Sequence, residues 1–255
     1  MLQPHVHVPY QKIGSYFRFI REHRINPEIY FSSRALETFH YAEFSKLMDQ
    51  LDHTPSITIH APFMDLSPGA VDAGIREVTL ERFSHVIDIA VHVRPKAVVF
   101  HSGYEKWKYA LKTDLWLEKS LKTWKPLLQR AEAEGLKIAI ENIFEDTPDN
   151  LRLLMEEIGS GNFGICFDTG HCNLFSAVPL DTWLEQLNPY LIELHLHDNN
   201  KTADDHIAIG DGTFDFERLF AALKGRELIY TIEGHSPEDV IKSIQRLGQY
   251  YSLSA

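Results

Sequence analysis

The stretch FGICFDTGHCN, residues 163–173, ends an apolar alternation with a carboxylate and an imidazole. Ile165 and Phe167 alternate with Gly164 and Cys166, and Asp168 and His171 then follow three residues apart around Gly170. Two such groups aimed at one place can hold a divalent cation or move a proton. The ending recurs along the chain. Other strand-like runs close on His60, His101, Glu141, His195 and Glu233, and the segment after His195 places Asp204 and His206 on either side of Asp205. Each of these alone reads as an ordinary strand-end polar residue, a cap or a salt-bridge partner. Together they are nine donors, and anions packed into one mouth repel unless cations neutralise them. The joint pattern therefore points to one to three divalent ions. Mixed imidazole and carboxylate ligation suits Zn, Mn, Fe or Co better than Ca or Mg, with Zn or Mn preferred.

Eight strand-like runs have to position these groups. They are HVHVPY (5–10), PEIYFS (27–32), SITIHAP (56–62), AVVFHS (97–102), KIAIEN (137–142), FGICFDT (163–169), LIELHLHD (191–198) and LIYTIEG (228–234). Between them apolar residues recur at helical spacing. In DLWLEKSLKTWKPLLQRAEAEG the expected stripe is Leu117, Leu121, Trp124 and Leu128, interrupted by Pro126. In SPEDVIKSIQRLGQYY, Ser236 is an expected N-cap with Pro237 at the first helical position. Alternating strands and helices imply right-handed crossovers and a parallel sheet, and eight repeats match an α/β fold of the (β/α)8 barrel type. An open doubly wound sheet would bury both strand faces in near-continuous apolar runs. Here one parity is apolar (Ile57 and Ile59, Val98 and Phe100, Ile138 and Ile140, Leu194 and Leu196, Tyr230 and Ile232) while the other is small or polar. A closed barrel with the polar parity facing its axis accounts for this. Asp168 then ends its strand at the C-terminal rim, Gly170 is expected to turn the chain, and His171 returns over the mouth.

The remaining composition sets limits. At 255 residues, 44% hydrophobic and 24% charged, the chain is ordinary globular protein, and without a linker or low-complexity tract residues 1–255 read as a single domain. No apolar run approaches the roughly 18 residues of a membrane span, and MLQPHVHVPY does not have the form of a signal peptide. Two cysteines, Cys166 and Cys172, offer no disulfide framework, so a cytoplasmic location is expected. A net charge of −11 argues against a broad nucleic-acid surface. Trp107, Trp116, Trp124 and Trp183 are assigned to core or rim packing. Cys166 is expected to be buried and inert, and Glu193 to pair inside the barrel. His7, inward on the first strand, and His235, next to Glu233, are candidate substrate contacts.

With these residues in place the chain resembles the xylose isomerase-like TIM barrels, a superfamily that includes sugar isomerases and epimerases and endonuclease IV. The resemblance covers nearly the whole chain and is carried by HAPF (60–63), VVFHSG (98–103), IAIEN (138–142), GICFDTGH (164–171), HLHDNN (195–200), DDHIAIGDGTFDF (204–216) and TIEG (231–234). Two branches imply different chemistry. In the single-metal isomerases and epimerases the ligands correspond to Glu141, Asp168, His195 and Glu233, with the two glutamates also serving as catalytic acid and base. Endonuclease IV adds positions resembling His60, His101, His171, Asp204 and His206 to hold three zinc ions. All nine are present. The rim loops favour a small substrate over DNA: HAPFMDLSPG carries no basic residue, with only Phe63 and Met64 as potential wedges, and IFEDTPDN is acidic. Arg34, Lys106 and Lys108 are the phosphate candidates. The expectation is a metal-dependent isomerase or epimerase of a small polyhydroxylated or phosphorylated compound. The alternatives are a multinuclear zinc phosphoester hydrolase, with abasic-site endonuclease as its special case, and a non-catalytic ligand-binding barrel.

Overall fold

Strict alternation of side chains sorts each strand into a helix-facing and an axis-facing set, and in the computed structural model, which describes residues 3–254, this alternation closes a barrel. The strands are β1 (His5–Pro9), β2 (Asn26–Tyr30), β3 (Thr58–His60), β4 (Val98–His101), β5 (Ile138–Glu141), β6 (Phe163–Asp168), β7 (Leu191–Leu196) and β8 (Ile229–Ile232). All neighbours run parallel, and β1 closes on β8 with His5 opposite Thr231. Each strand lies at its expected run, β2 beginning one residue earlier.

The helices are α1 (Ile13–Glu22), α2 (Ser33–Thr38), α3 (Tyr41–Met48), α4 (Ala73–Val93), α5 (Thr113–Ala133), α6 (Asp149–Ile158), α7 (Thr169–Phe175), α8 (Leu180–Leu187), α9 (Phe216–Ala222) and α10 (Pro237–Ser254). Ile59, Phe100, Ile140, Ile165, Leu194 and Ile232 face this layer and are fully buried in the main core. The axis-facing Val99, Ala139 and Cys166 form a separate small apolar plug. In α5 the expected Trp124 and Leu128 are buried, with Trp116, Leu127 and Ala131 beside them, while Leu117 and Leu121 are only partly buried. The buried face is thus shifted towards Trp116 and Leu127 in the half where Leu117 and Leu121 were expected. Pro126 does not break this helix. It lies on the exposed side, where water can satisfy the carbonyl one turn back. Ser236 caps α10 by accepting from the Asp239 N–H at 3.1 Å, as expected. Trp116, Trp124 and Trp183 are buried, whereas Trp107 is 75% exposed on the β4–α5 loop and packs in no core. No helix among the described residues is long and apolar enough to cross a membrane.

The barrel axis below the mouth is unusually polar. Glu193 is fully buried and bonded to the Thr231 hydroxyl, the pairing expected of it, and burial together with the charge of Glu28 pushes its carboxyl up to about 8. Nearby, His5 is buried with Nε2 3.1 Å from Ser56 Oγ. Burial lowers its pKa to about 4, against the pull of Glu28. The unfolded chain therefore takes up a proton near pH 6.5 that the folded chain refuses until about pH 4. Stability carried by neutral His5 is complete above pH 6.5 and is lost as pH falls through this window, by about 3 kcal/mol at pH 4. Denaturant unfolding of His5→Gln from pH 7 to pH 4 should show a shallower decline than the parent chain, and parallel curves would refute this.

Candidate metal centre

Each strand end delivers its donor through a local device. Asn142, the residue after β5, clamps the end of β6: its Oδ1 accepts from the Asp168 N–H at 2.8 Å and its Nδ2 donates to the Asp168 carbonyl at 3.0 Å. Asp168 then caps α7, accepting from the His171 N–H at 2.6 Å. The first turn of that helix brings His171 back over the mouth. Gly170 does not provide the turn expected of it, since it is helical. What it provides is closeness: a Cβ there would lie 2.0 Å from Cε1 of His197, whose ring lies against it. The segment carrying Asp204 and His206 is held by Asp198, a buried carboxylate that accepts N–H bonds from Gly210, Gly212, Thr213 and Phe214 at 2.9–3.1 Å. His206 adopts φ +48°, a left-handed conformation that costs a non-glycine residue energy and is held by this framework.

These devices bring all nine expected donors together in three adjoining groups. At the centre, His195 Nδ1 faces Glu233 Oε1 at 3.2 Å, Glu141 Oε1 at 3.6 Å and Asp168 Oδ2 at 3.9 Å. On one flank, His60 Nε2 is 3.0 Å and His101 Nε2 3.5 Å from Glu141 Oε2. On the other, Asp204 Oδ2 lies 3.3 Å from His171 Nε2 and 3.1 Å from His206 Nε2.

Hydrogen-bond accounting tests whether a cation fits. A carbonyl or carboxylate oxygen only accepts, so an imidazole nitrogen bonded to one carries the hydrogen, and in neutral imidazole the other nitrogen is bare. His60 Nδ1 donates to the Ala61 carbonyl at 2.8 Å, which leaves Nε2 as a lone pair facing Glu141. His171 Nδ1 donates to the Asn142 carbonyl at 3.0 Å, which leaves Nε2 facing Asp204. His195 Nε2 donates to Glu28 at 3.2 Å, which leaves the buried Nδ1 facing three carboxylates with no hydrogen-bond partner. In each group an acceptor faces an acceptor. That arrangement is repulsive unless positive charge, a proton or a metal ion, stands between them. The mixed donor set is one that divalent transition metals accept.

The titration behaviour reflects the same demand. Burial opposes charge throughout, yet His101, His195 and His171 hold the Glu141 carboxyl well below the usual range, and His195 and His7 do so for Glu233. Against burial, His171 is raised well above an ordinary imidazole by Asp168, Asp204 and Glu141, and His195 by Cys166 and then by Glu28, Glu233 and Glu141. His101 goes the other way, to about 3, because burial outweighs the charge of Glu141. Both thiols are pushed up by burial, Cys172 to about 12 and Cys166 well above its ordinary value, so neither is a nucleophile here.

A cavity of about 990 Å³ opens over the centre. His7 and His235 are on its wall, with His235 stacked on His206 at 4.8 Å. Two expected substrate contacts are not. Arg34 lies exposed on α2, away from the cavity. Lys106 is drawn instead to Asp146 of the acidic loop at 2.6 Å. The cationic side chains on the wall, among the described residues, are Lys12 and Lys108, the latter bonded to Ser67 Oγ at 3.0 Å. Phe63 stacks on His101 at 4.1 Å, which ties it down as part of the wall.

Two buried residues join the site without having been singled out in the sequence. Glu28 of β2 contacts His195 and, at 3.1 Å, His7 Nδ1. His197 places Nε2 3.1 Å from both Asp168 oxygens and stacks on His206 at 3.9 Å. Both sit at axis-facing parity, the signal that could have found them.

The comparisons agree with this geometry. A family model described as xylose isomerase-like TIM barrel matches residues 17–250. An uncharacterised protein of Methanocaldococcus jannaschii, MJ1311, is 31% identical over 206 residues, covering 77% of this chain and 70% of its own. Among solved structures, a D-tagatose 3-epimerase-like protein is 28% identical with a TM-score of 0.85, covering 98% of both chains. The TTHB071 protein of Thermus thermophilus, from a crystal soaked with ZnCl2, is 25% identical with a TM-score of 0.83 and the same coverage. A closed eight-stranded barrel, a metal-type donor set at its C-terminal rim and a family match across most of its length place this chain in the xylose isomerase-like TIM barrel family.

Proposed function

We propose that the chain is a divalent-metal-dependent isomerase or epimerase of a small polyhydroxylated carbonyl compound, free or phosphorylated. The observation that carries this reading is the pair Glu141 and Glu233. They approach the same point, His195 Nδ1, from strands three places apart around the ring. Asp168 and His195 would complete a four-donor site, and Zn or Mn suits it. A cation held there would polarise the substrate carbonyl and so acidify the neighbouring C–H. One glutamate takes that proton on a carboxylate oxygen, and the other, once it has itself taken up a proton from solvent, delivers it from the opposite side. Both carboxyls are held ionised at neutral pH, the form that a ligand and a base require. His7 and His235, on the wall, would orient hydroxyl groups. The 28% identical D-tagatose 3-epimerase-like protein supports this choice of reaction.

A second reading keeps a specific footing. The flanking groups around His60 and around Asp204 supply donors beyond the four, as a multinuclear phosphoester hydrolase would need. The wall gives it little else, since Lys106 is consumed by Asp146 and no row of cations lines the rim among the described residues. Solvent exchange separates the two. Chain loaded with Zn or Mn is incubated in D2O with ketohexoses, ketopentoses and their phosphates, and proton NMR follows the C–H beside the carbonyl. Catalysed deuterium uptake is expected. No exchange with any of these, together with cleavage of bis-p-nitrophenyl phosphate, would replace the first reading by the second.

A further inference from the structure

We infer that Glu28 is a positioning residue for the metal centre: it holds His195 with Nε2 protonated so that Nδ1 is the ligating nitrogen. The inference rests on the metal reading above and adds a member outside the nine donors. Glu28 is fully buried on the barrel axis below the mouth, with the buried carboxyl of Glu193 within 4.8 Å of it. Such a placement is costly unless both oxygens are matched. Both are: Oε2 accepts from His195 Nε2 at 3.2 Å, and Oε1 is 3.1 Å from His7 Nδ1. His7 Nδ1 is in turn 3.2 Å from Glu233 Oε1, and that same oxygen is 3.2 Å from His195 Nδ1. The contacts close a ring, Glu28–His195–Glu233–His7. Glu28 fixes the ring from below, on the side away from the central donors.

This arrangement has a direct chemical consequence. A carboxylate behind a ligating imidazole fixes its tautomer and ring plane and makes the facing nitrogen a better donor. If Glu28 were replaced by a side chain that does not accept, the proton on His195 could move to Nδ1 and bond to Glu233. The ligand would then be lost while the fold stayed intact.

The test is zinc affinity by chelator competition on the full chain, with Glu28→Gln (charge removed, shape kept) and Glu28→Met (acceptor removed, similar length). Outer-shell partners of this kind are worth about 10- to 100-fold in metal affinity. Glu28→Gln should fall near the lower figure and Glu28→Met near the upper, with the thermal midpoint of the metal-free variants within a few degrees of the parent. Either variant binding zinc within threefold of the parent would overturn the inference. A second measurement needs no variant: two-dimensional 15N–1H NMR of the zinc-loaded parent should show His195 protonated at Nε2 and ligated through Nδ1, and ligation through Nε2 would overturn it equally. A parent chain that binds neither zinc nor manganese would instead refute the metal reading on which this one stands.

Discussion

Glu233→Gln is expected to leave the barrel folded and to lower turnover of the deuterium-exchange substrate by about three orders of magnitude, and Glu141→Gln to do the same. The magnitude follows from the role. A positioned acid or base contributes roughly 10²- to 10⁴-fold, and a thousandfold is about 4 kcal/mol of transition-state stabilisation. Glutamine preserves the volume, and its amide oxygen still accepts a hydrogen bond from His7, which lies 3.2 Å from Glu233. What it cannot do is take up a proton. The loss should therefore appear in kcat with little change in KM, measured at saturating metal and with bound metal quantified in parallel. Because the two residues serve one proton relay, the double variant should be little worse than either single one. A Glu233→Gln enzyme that keeps more than a tenth of parental kcat would remove this residue from the chemistry.

Much of this centre is visible in the sequence because strand parity is a local property. The apolar and polar sets of β4 and β5 can be read off four residues each, and they place His101 and Glu141 on the axis with no knowledge of the partners. The closed barrel follows from the same parity. What the sequence hides is pairing over distance. Glu28 acquires its meaning only beside His195, 167 positions away. In β2 it stands between Pro27 and Ile29, where a lone carboxylate looks like a surface residue. His197 follows His195 by two positions, but whether two such histidines both reach a site depends on how far the strand extends into the mouth. Lys106 and Lys108 are indistinguishable in sequence. Asp146, forty positions on, draws one away from the cavity, while the other remains on its wall. Gly170 is legible as a necessary glycine, but the reason lies in the ring of His197 across the mouth and not in the local turn.

The second large effect concerns which donors the chemistry needs. Asp168→Ala should abolish exchange and weaken binding of the central ion by more than about a hundredfold, beyond what outer-shell changes cost, since Asp168 faces His195 and caps α7 as well. His60→Ala should behave differently. Of the two Glu141 oxygens His60 contacts Oε2, while the one turned toward His195 is Oε1. The variant should lose a flanking ion and keep the central one, with exchange activity within tenfold of the parent. Asp204→Ala should do likewise on the other flank, where Asp204 bridges His171 and His206. Elemental analysis of chelator-free preparations, beside the exchange assay, decides the matter. More than one zinc per parent chain, falling by about one in His60→Ala with turnover retained, fits an epimerase whose flanking ions are accessory. Turnover that disappears together with the flanking ion would mean that all three groups act as one centre. The exchange chemistry would then need donors beyond the four central ones, with Glu141, whose two oxygens face two different groups, coupling them.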